Sequence, residues 1–169
     1  MRDKKKAFTL VELMVTIAIA AILLTIGVPS LISMYEGFRA NSNIEKIHDI
    51  MAFARNQAIN YGATVNVCPF ASVSSCGTNW NNGIRVYIGA TKNLRSIDSF
   101  NTNDNVKGPE KIAANSENGE HITFSPDGLS SGGAFIYCPA GKASGSRSIN
   151  ISPSGLIKFG AKDMECTEK

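Results

Sequence analysis

The chain has 169 residues, 43% of them apolar and 18% charged, with a formal net charge of +3. That length suits one soluble domain plus an anchor. The excess of positive charge is confined to the first seven residues. Without Arg2, Lys4, Lys5 and Lys6, set against Asp3, 13 basic and 13 acidic residues remain. A polyanion-binding domain is normally clearly basic, so bulk charge gives that class no support.

The basic leader ends at Ala7, and an apolar run of 21 residues follows from Phe8 to Val28. About 20 residues are needed to cross a hydrocarbon core as a helix. Positive charge ahead of the run places the leader in the cytoplasm and the rest of the chain outside. An ordinary signal peptide fits poorly. Its apolar region is only ~7–15 residues, with a small-x-small cleavage site just after it. Here Ala18-Ile19-Ala20 lies inside the run, and Ile22, Leu23 and Leu24 continue past it. A plain signal anchor leaves Glu12 unexplained. A charged side chain at the centre of such a span costs at least ~2.5 kcal/mol and marks a functional site by default.

Lys6-Ala7-Phe8-Thr9-Leu10-Val11-Glu12-Leu13 resembles the class III signal of type IV pilins and type II secretion pseudopilins. The resemblance implies that a prepilin peptidase cuts between Ala7 and Phe8 on the cytoplasmic side and methylates the new N-terminus at Phe8. Glu12, then the fifth mature residue, would pair with the Phe8 ammonium of a neighbouring subunit during assembly. An opposite charge offsets much of the cost of a carboxylate in low dielectric. The family usually has Gly before the cut, and Ala7 departs from that pattern while keeping the residue small.

Pro29 interrupts the apolar run and predicts a kink. Many type IV pilins carry a proline at the same distance from the cut. Beyond it, Ile44, Ile47, Ile50, Met51, Ala54, Ala58 and Tyr61 recur mostly at spacings of three or four, one face of an amphipathic helix. Gly62 is a C-terminal stop. The expected segments are a cleaved leader (1–7), a transmembrane helix (8–29), the amphipathic second half of the same helix (30–62) and a β-rich periplasmic domain (63–169). A continuous helix from Phe8 to Tyr61 would be roughly 80 Å long at 1.5 Å per residue.

The period then changes to two. Thr64–Cys68 and Ile84–Ile88 alternate as half-buried strands do. Ile122–Phe124 precedes a Ser-Pro-Asp-Gly turn, and Ala134–Cys138 is β-prone. Ser148–Ile151, Ser-Pro-Ser-Gly and Leu156–Phe159 read as a hairpin. Asn101–Glu120, rich in polar residues and glycine, reads as a long surface loop. Short strands after one long helix predict an α+β fold, the helix packed on an antiparallel sheet.

Cys68, Cys76, Cys138 and Cys166 all follow the span, in a compartment that permits disulfides. Four cysteines allow three pairings. Cys68 with Cys76 and Cys138 with Cys166 is favoured, because each bridge then ties neighbouring segments. Zinc is the competing reading. It finds no CxxC, and His48 and His121 lie far from any cysteine in sequence.

Enzyme chemistry finds little to work with. His48 beside Asp49 reads as a solvated helix-face pair, His121 as a surface residue, and Trp80 as a buried tryptophan after a disulfide loop. There is no P-loop, GxSxG or dinucleotide fingerprint. No cofactor or metal is expected.

The C-terminal half narrows the family. Phe124–Gly128, Ile136–Pro139 and Ser146–Gly155 resemble the GspH/FimT group, and most of all its FimU branch. The resemblance implies a pilin-like fold and a minor pilin of a type IV pilus. Such a protein is held in the bacterial inner membrane and incorporated at or near the fibre tip, where it initiates assembly and supports twitching motility. Its implied partners are other minor pilins, the major pilin, the prepilin peptidase and an inner-membrane assembly platform. Ala18, Ala20, Ala21 and Gly27 would let helices approach closely in the bundle. Three alternatives stand beside this reading: a type II secretion pseudopilin, a major pilin, and a DNA receptor for natural transformation. Some FimT proteins bind DNA through a Gly-Arg-x-Arg motif. The matching place here reads Gly145-Ser146-Arg147-Ser148, with Lys142, Arg147, Lys158 and Lys162 as the candidate phosphate contacts.

Overall fold

The computed structural model describes residues 8–89, 92–109 and 121–166. Helix α1 spans Leu10–Tyr61 without interruption at Pro29. It crosses two compact units, residues 1–35 and 36–169. In the first unit every described residue from Phe8 to Tyr35 is exposed except the half-buried Gly27.

Among its described residues the second unit contains the rest of α1 and eight strands: β1 Val65–Pro69, β2 Ile84–Ile88, β3 Lys92–Ile97, β4 Asn105–Lys107, β5 Ile122–Phe124, β6 Gly133–Cys138, β7 Arg147–Ile151 and β8 Ile157–Lys162. They form two four-stranded sheets, ordered β3-β2-β1-β5 and β4-β6-β7-β8. All pairings are antiparallel. The fold is α+β, one long helix with antiparallel sheets, as expected.

The core follows from periodicity. Helix α1 buries Ala40, Ile44, Ile47, Ile50, Met51, Ala54 and Ala58, one stripe at helical spacing. Against it lie Val65 and Val67 of β1, Ile84 and Val86 of β2, Ile122 and Phe124 of β5, Phe135 and Tyr137 of β6, and Ile149 and Ile151 of β7. Each of these pairs is spaced by two, the period that puts side chains on one face of a strand. Trp80 is buried and meets the Phe135 ring edge-on, with centroids 4.8 Å apart. Tyr61, expected on the apolar stripe, is half exposed at the helix end, with the Lys92 ammonium 5.0 Å from its ring centroid.

Gly62 ends the helix as expected. It adopts φ +61°, its N–H donates to the Ile59 carbonyl, and the Ala63 N–H donates to that of Ala58. Those two bonds are a Schellman motif, which satisfies carbonyls the helix leaves open.

The expectation of a surface loop over 101–120 is corrected at its start. Asn105–Lys107 forms β4 and pairs with Ile136–Cys138 of β6. Asp104 and Val106 are buried. Residues 110–120 of that stretch lie outside the described residues. Strand β3 carried no clear alternation in sequence, and it exists as the edge partner of β2.

Two turns share one design. Ser125-Pro126-Asp127-Gly128-Leu129 and Ser152-Pro153-Ser154-Gly155-Leu156 close with the same bonds. In each, the serine N–H donates to the leucine carbonyl over 3.0 Å, and the glycine N–H donates to the serine carbonyl over 2.9 Å. The turns pack together: a Cβ on Gly155 would collide with the Gly128 carbonyl, to which Arg55 Nε donates over 3.0 Å.

Candidate assembly site

At the start of α1, Thr9 acts as a cap. Its Oγ1 accepts from the Glu12 N–H over 3.2 Å, and its carbonyl accepts from the Leu13 N–H over 3.2 Å. Thr-x-x-Glu is the spacing of a capping box, a helix-start signal carried by the sequence itself. Glu12 is exposed on the first turn. Ala7, the residue expected before the cut, lies outside the described residues. Phe8, Leu10, Val11, Leu13 and Met14 surround Glu12 in sequence, each 59–79% exposed. The apolar exposure continues through Ile17, Ile22, Leu24, Ile26 and Leu31. Soluble monomers rarely leave so much contiguous apolar surface uncovered. This helix also has the length and composition to cross a membrane.

Farther along α1, a buried polar network fastens the helix to the second sheet. The Asp104 carboxylate accepts from Arg39 Nη2 over 2.6 Å, from the Ala140 N–H over 2.8 Å and from the Tyr137 hydroxyl. Tyr137 Oη in turn accepts from Asn43 Nδ2 over 2.7 Å. Burial pushes the Tyr137 phenol well above its ordinary value, and its hydrogen bond to Asp104 pushes the same way. Sequence reasoning missed this network, because Asp104 sits in a polar stretch that reads as loop. Lys142 Nζ and Glu36 form an ion pair nearby at 3.2 Å.

The four basic candidates therefore differ in state. Lys142 is committed to Glu36. Arg147 donates through Nε to Asn41 Oδ1 over 2.7 Å, and through Nη1 to the carbonyls of Gly145 and Ser146 over 3.2 and 2.9 Å. Lys158 and Lys162 are exposed on β8. Lys162 stands directly across the ladder from Arg147, and Lys158 stands across from Asn150. Arg147 and Lys162 line one groove with Asn41, Ile44, Glu45, Ser148, Phe159 and Gly160, of about 210 Å³.

Disulfides join Cys68 to Cys76 and Cys138 to Cys166. The fold brings His121, distant in sequence, within 4.8 Å of Cys68 and Cys76. With the two sulfurs bonded to each other, neither is a thiolate ligand, and one imidazole alone does not make a zinc site. Arg85 is buried on the same face, its guanidinium 4.5 Å from the Tyr87 ring centroid. Burial lowers the Arg85 pKa and raises that of Tyr87, and each group partly offsets the shift of the other. His48 lies 3.5 Å from Asp49 and also stacks on Phe159, with ring centroids 4.9 Å apart, so it is only half exposed. That stacking partner was not legible in sequence.

A capped apolar helix that continues into a domain of antiparallel sheets defines a pilin-type subunit. Residues 2–28 match the prokaryotic N-terminal methylation motif, and residues 43–155 match the family model described as type II transport protein GspH. The chain belongs to the GspH family, and is a minor pilin or pseudopilin of the type IV pilus or type II secretion kind. The fold is similar to that of the type IV minor pilin FimU of Pseudomonas aeruginosa strain PAO1 in two crystal forms. One match has 22% identity and a TM-score of 0.59 over 76% of this chain and 95% of that one. The other has 22% identity and a TM-score of 0.57 over 75% and 99%. A comparison with curated protein sequences finds no match. The family is one of structural pilins, whose members assemble with other pilins.

Proposed function

We propose that the chain is a minor pilin that helps start assembly of a type IV pilus, sits at or near the fibre tip and supports twitching motility. The observation that carries this reading is the exposed apolar stretch from Phe8 to Tyr35 with one carboxylate in its first turn. Such a surface needs lipid before assembly and neighbouring helices after it. In this reading a prepilin peptidase removes residues 1–7 and methylates Phe8. The segment 8–29 holds the subunit in the inner membrane, with residues 63–169 in the periplasm. An inner-membrane platform then extracts it into the fibre, where it meets other minor pilins and the major pilin. Pro29 gives the helix a kink. Glu12 pairs with the amino terminus of a neighbour, where an opposite charge offsets the cost of a carboxylate in low dielectric.

A second reading, a pseudopilin of a type II secretion fibre, is favoured by the description of the matching family. The helix chemistry is the same in both. Deleting the gene separates them: loss of surface pili and twitching supports the first, and loss of protein export supports the second. Replacing Glu12 with Ala tests the shared mechanism. The expected product is cleaved and membrane-held, yet joins fibres poorly, as quantified in sheared fibres. Normal incorporation would remove the pairing role.

A further inference from the structure

The groove between α1 and β8 holds an electrostatic arrangement that the fold alone does not need. Arg147 and Lys162 are direct partners across the β7–β8 ladder. Like charges placed opposite each other on neighbouring strands are destabilising. The arginine is also held in place. Nε is fixed by Asn41 on the helix and Nη1 by two backbone carbonyls, while no described group bonds Nη2. A guanidinium held this way loses little freedom on meeting an anion, so its ordering cost is met in advance. The groove is also lined by Ile44 of the helix and by Phe159, whose ring stacks on His48. Gly160 is confined, since a Cβ there would come within 2.8 Å of Asn150 Nδ2 and closer still to Ser148 Oγ.

We propose that this groove receives an acidic side chain, flanked by an apolar one, from a neighbouring pilin subunit in the fibre. The inference rests on the pilin reading above and names the partner chemistry of one surface. The paired cations ask for an anion, and the open Nη2 of Arg147 can donate to a carboxylate oxygen. A nucleic acid backbone fits less well. With Glu45 in the same groove the two cations leave one net positive charge, which suits a single carboxylate better than a run of phosphates; Lys142 is paired with Glu36, and about 210 Å³ suits one or two side chains. A carboxylate bound between Arg147 and Lys162 would convert a cross-strand repulsion into two charge-assisted contacts.

The test uses the full-length protein in cells that build the fibre. Phe159 is replaced by a photo-crosslinking benzoyl-phenylalanine, the fibres are sheared and irradiated, and the adduct is mapped by mass spectrometry. The expected adduct is to another pilin subunit, within two residues of an Asp or Glu. The variant R147Q/K162Q should lower adduct yield per incorporated subunit about tenfold or more, the scale of losing charge-assisted hydrogen bonds. Several results would overturn the inference: crosslinks to nucleic acid, crosslinks to a segment without carboxylates, no adduct from subunits present in the fibre, or an unchanged yield in the double variant. Absence of the protein from fibres altogether is a different failure, and it overturns the pilin reading as well.

Discussion

From Leu10 to Tyr35, helix α1 exposes every large apolar side chain it carries; from Ala40 to Ala58 it buries seven residues against two sheets. Both stretches belong to one hydrogen-bonded helix. The second spends its apolar surface on folding its own domain, through a stripe about 100° wide with polar residues elsewhere. The first is apolar all round, the pattern of a helix whose neighbours are lipid or other helices. One element thus separates the energy that folds the subunit from the energy that joins it to others. Exposed side chains in the first half are available to serve assembly.

Matched substitutions would break that comparison most sharply. Ile47→Ala should destabilise the detergent-solubilised protein by about 2–5 kcal/mol, the cost of a large-to-small change in a packed core. Ile19→Ala should leave the same thermal transition within about 0.5 kcal/mol, as expected of a side chain that packs on nothing in the fold. Comparable losses at both sites would show that the two halves are not energetically separate.

The disulfides sharpen the picture within the second unit. Their sequence separations are 28 for Cys138–Cys166 and 8 for Cys68–Cys76. Loop-closure entropy then predicts stabilisations of about 3.5 and about 2.5 kcal/mol. The C138S/C166S pair should therefore lower the urea midpoint more than the C68S/C76S pair does. The larger loss falls beside the Asp104 network, which fastens Arg39 and Asn43 of the helix to the second sheet.

A smaller effect comes from that network. Tyr137→Phe leaves Asp104 and Asn43 each short of one partner, which should cost about 1–3 kcal/mol. The folded protein holds the Tyr137 phenol above its ordinary value of 10.0. Its contribution is therefore complete below pH 10 and is lost as pH rises through the elevated folded-state value. Urea midpoints measured on both sides of pH 10 should fall more steeply for the wild type than for Tyr137→Phe. Parallel curves would remove Tyr137 as the source.

Much of this organisation was legible in the sequence, for reasons that differ by region. The buried stripe of α1, the stop at Gly62 and the strands β1, β2, β5, β6, β7 and β8 follow local rules of period and turn chemistry. Tyr61 fitted the stripe by spacing, yet the helix ends there and the ring runs out of core to meet. Strands β3 and β4 were missed because each is defined by its partner: Lys92–Ile97 by the edge of β2, and the three residues Asn105–Lys107 by β6. Asp104 was invisible for a related reason, since the three partners of its carboxylate come from α1, β6 and the turn after it. Sequence named four basic candidates but could not separate the paired Lys142 from the positioned Arg147. That distinction depends on Glu36 and Asn41, more than a hundred residues earlier in the chain.

The central claim is that the exposed first half of α1 is a polymerisation device, trimmed at its cytoplasmic edge. Intact-mass and N-terminal analysis of the protein isolated from native fibres tests it most directly. The account predicts a chain that begins at an N-methylated Phe8. A chain that begins at Met1, or downstream of Val28, would contradict it.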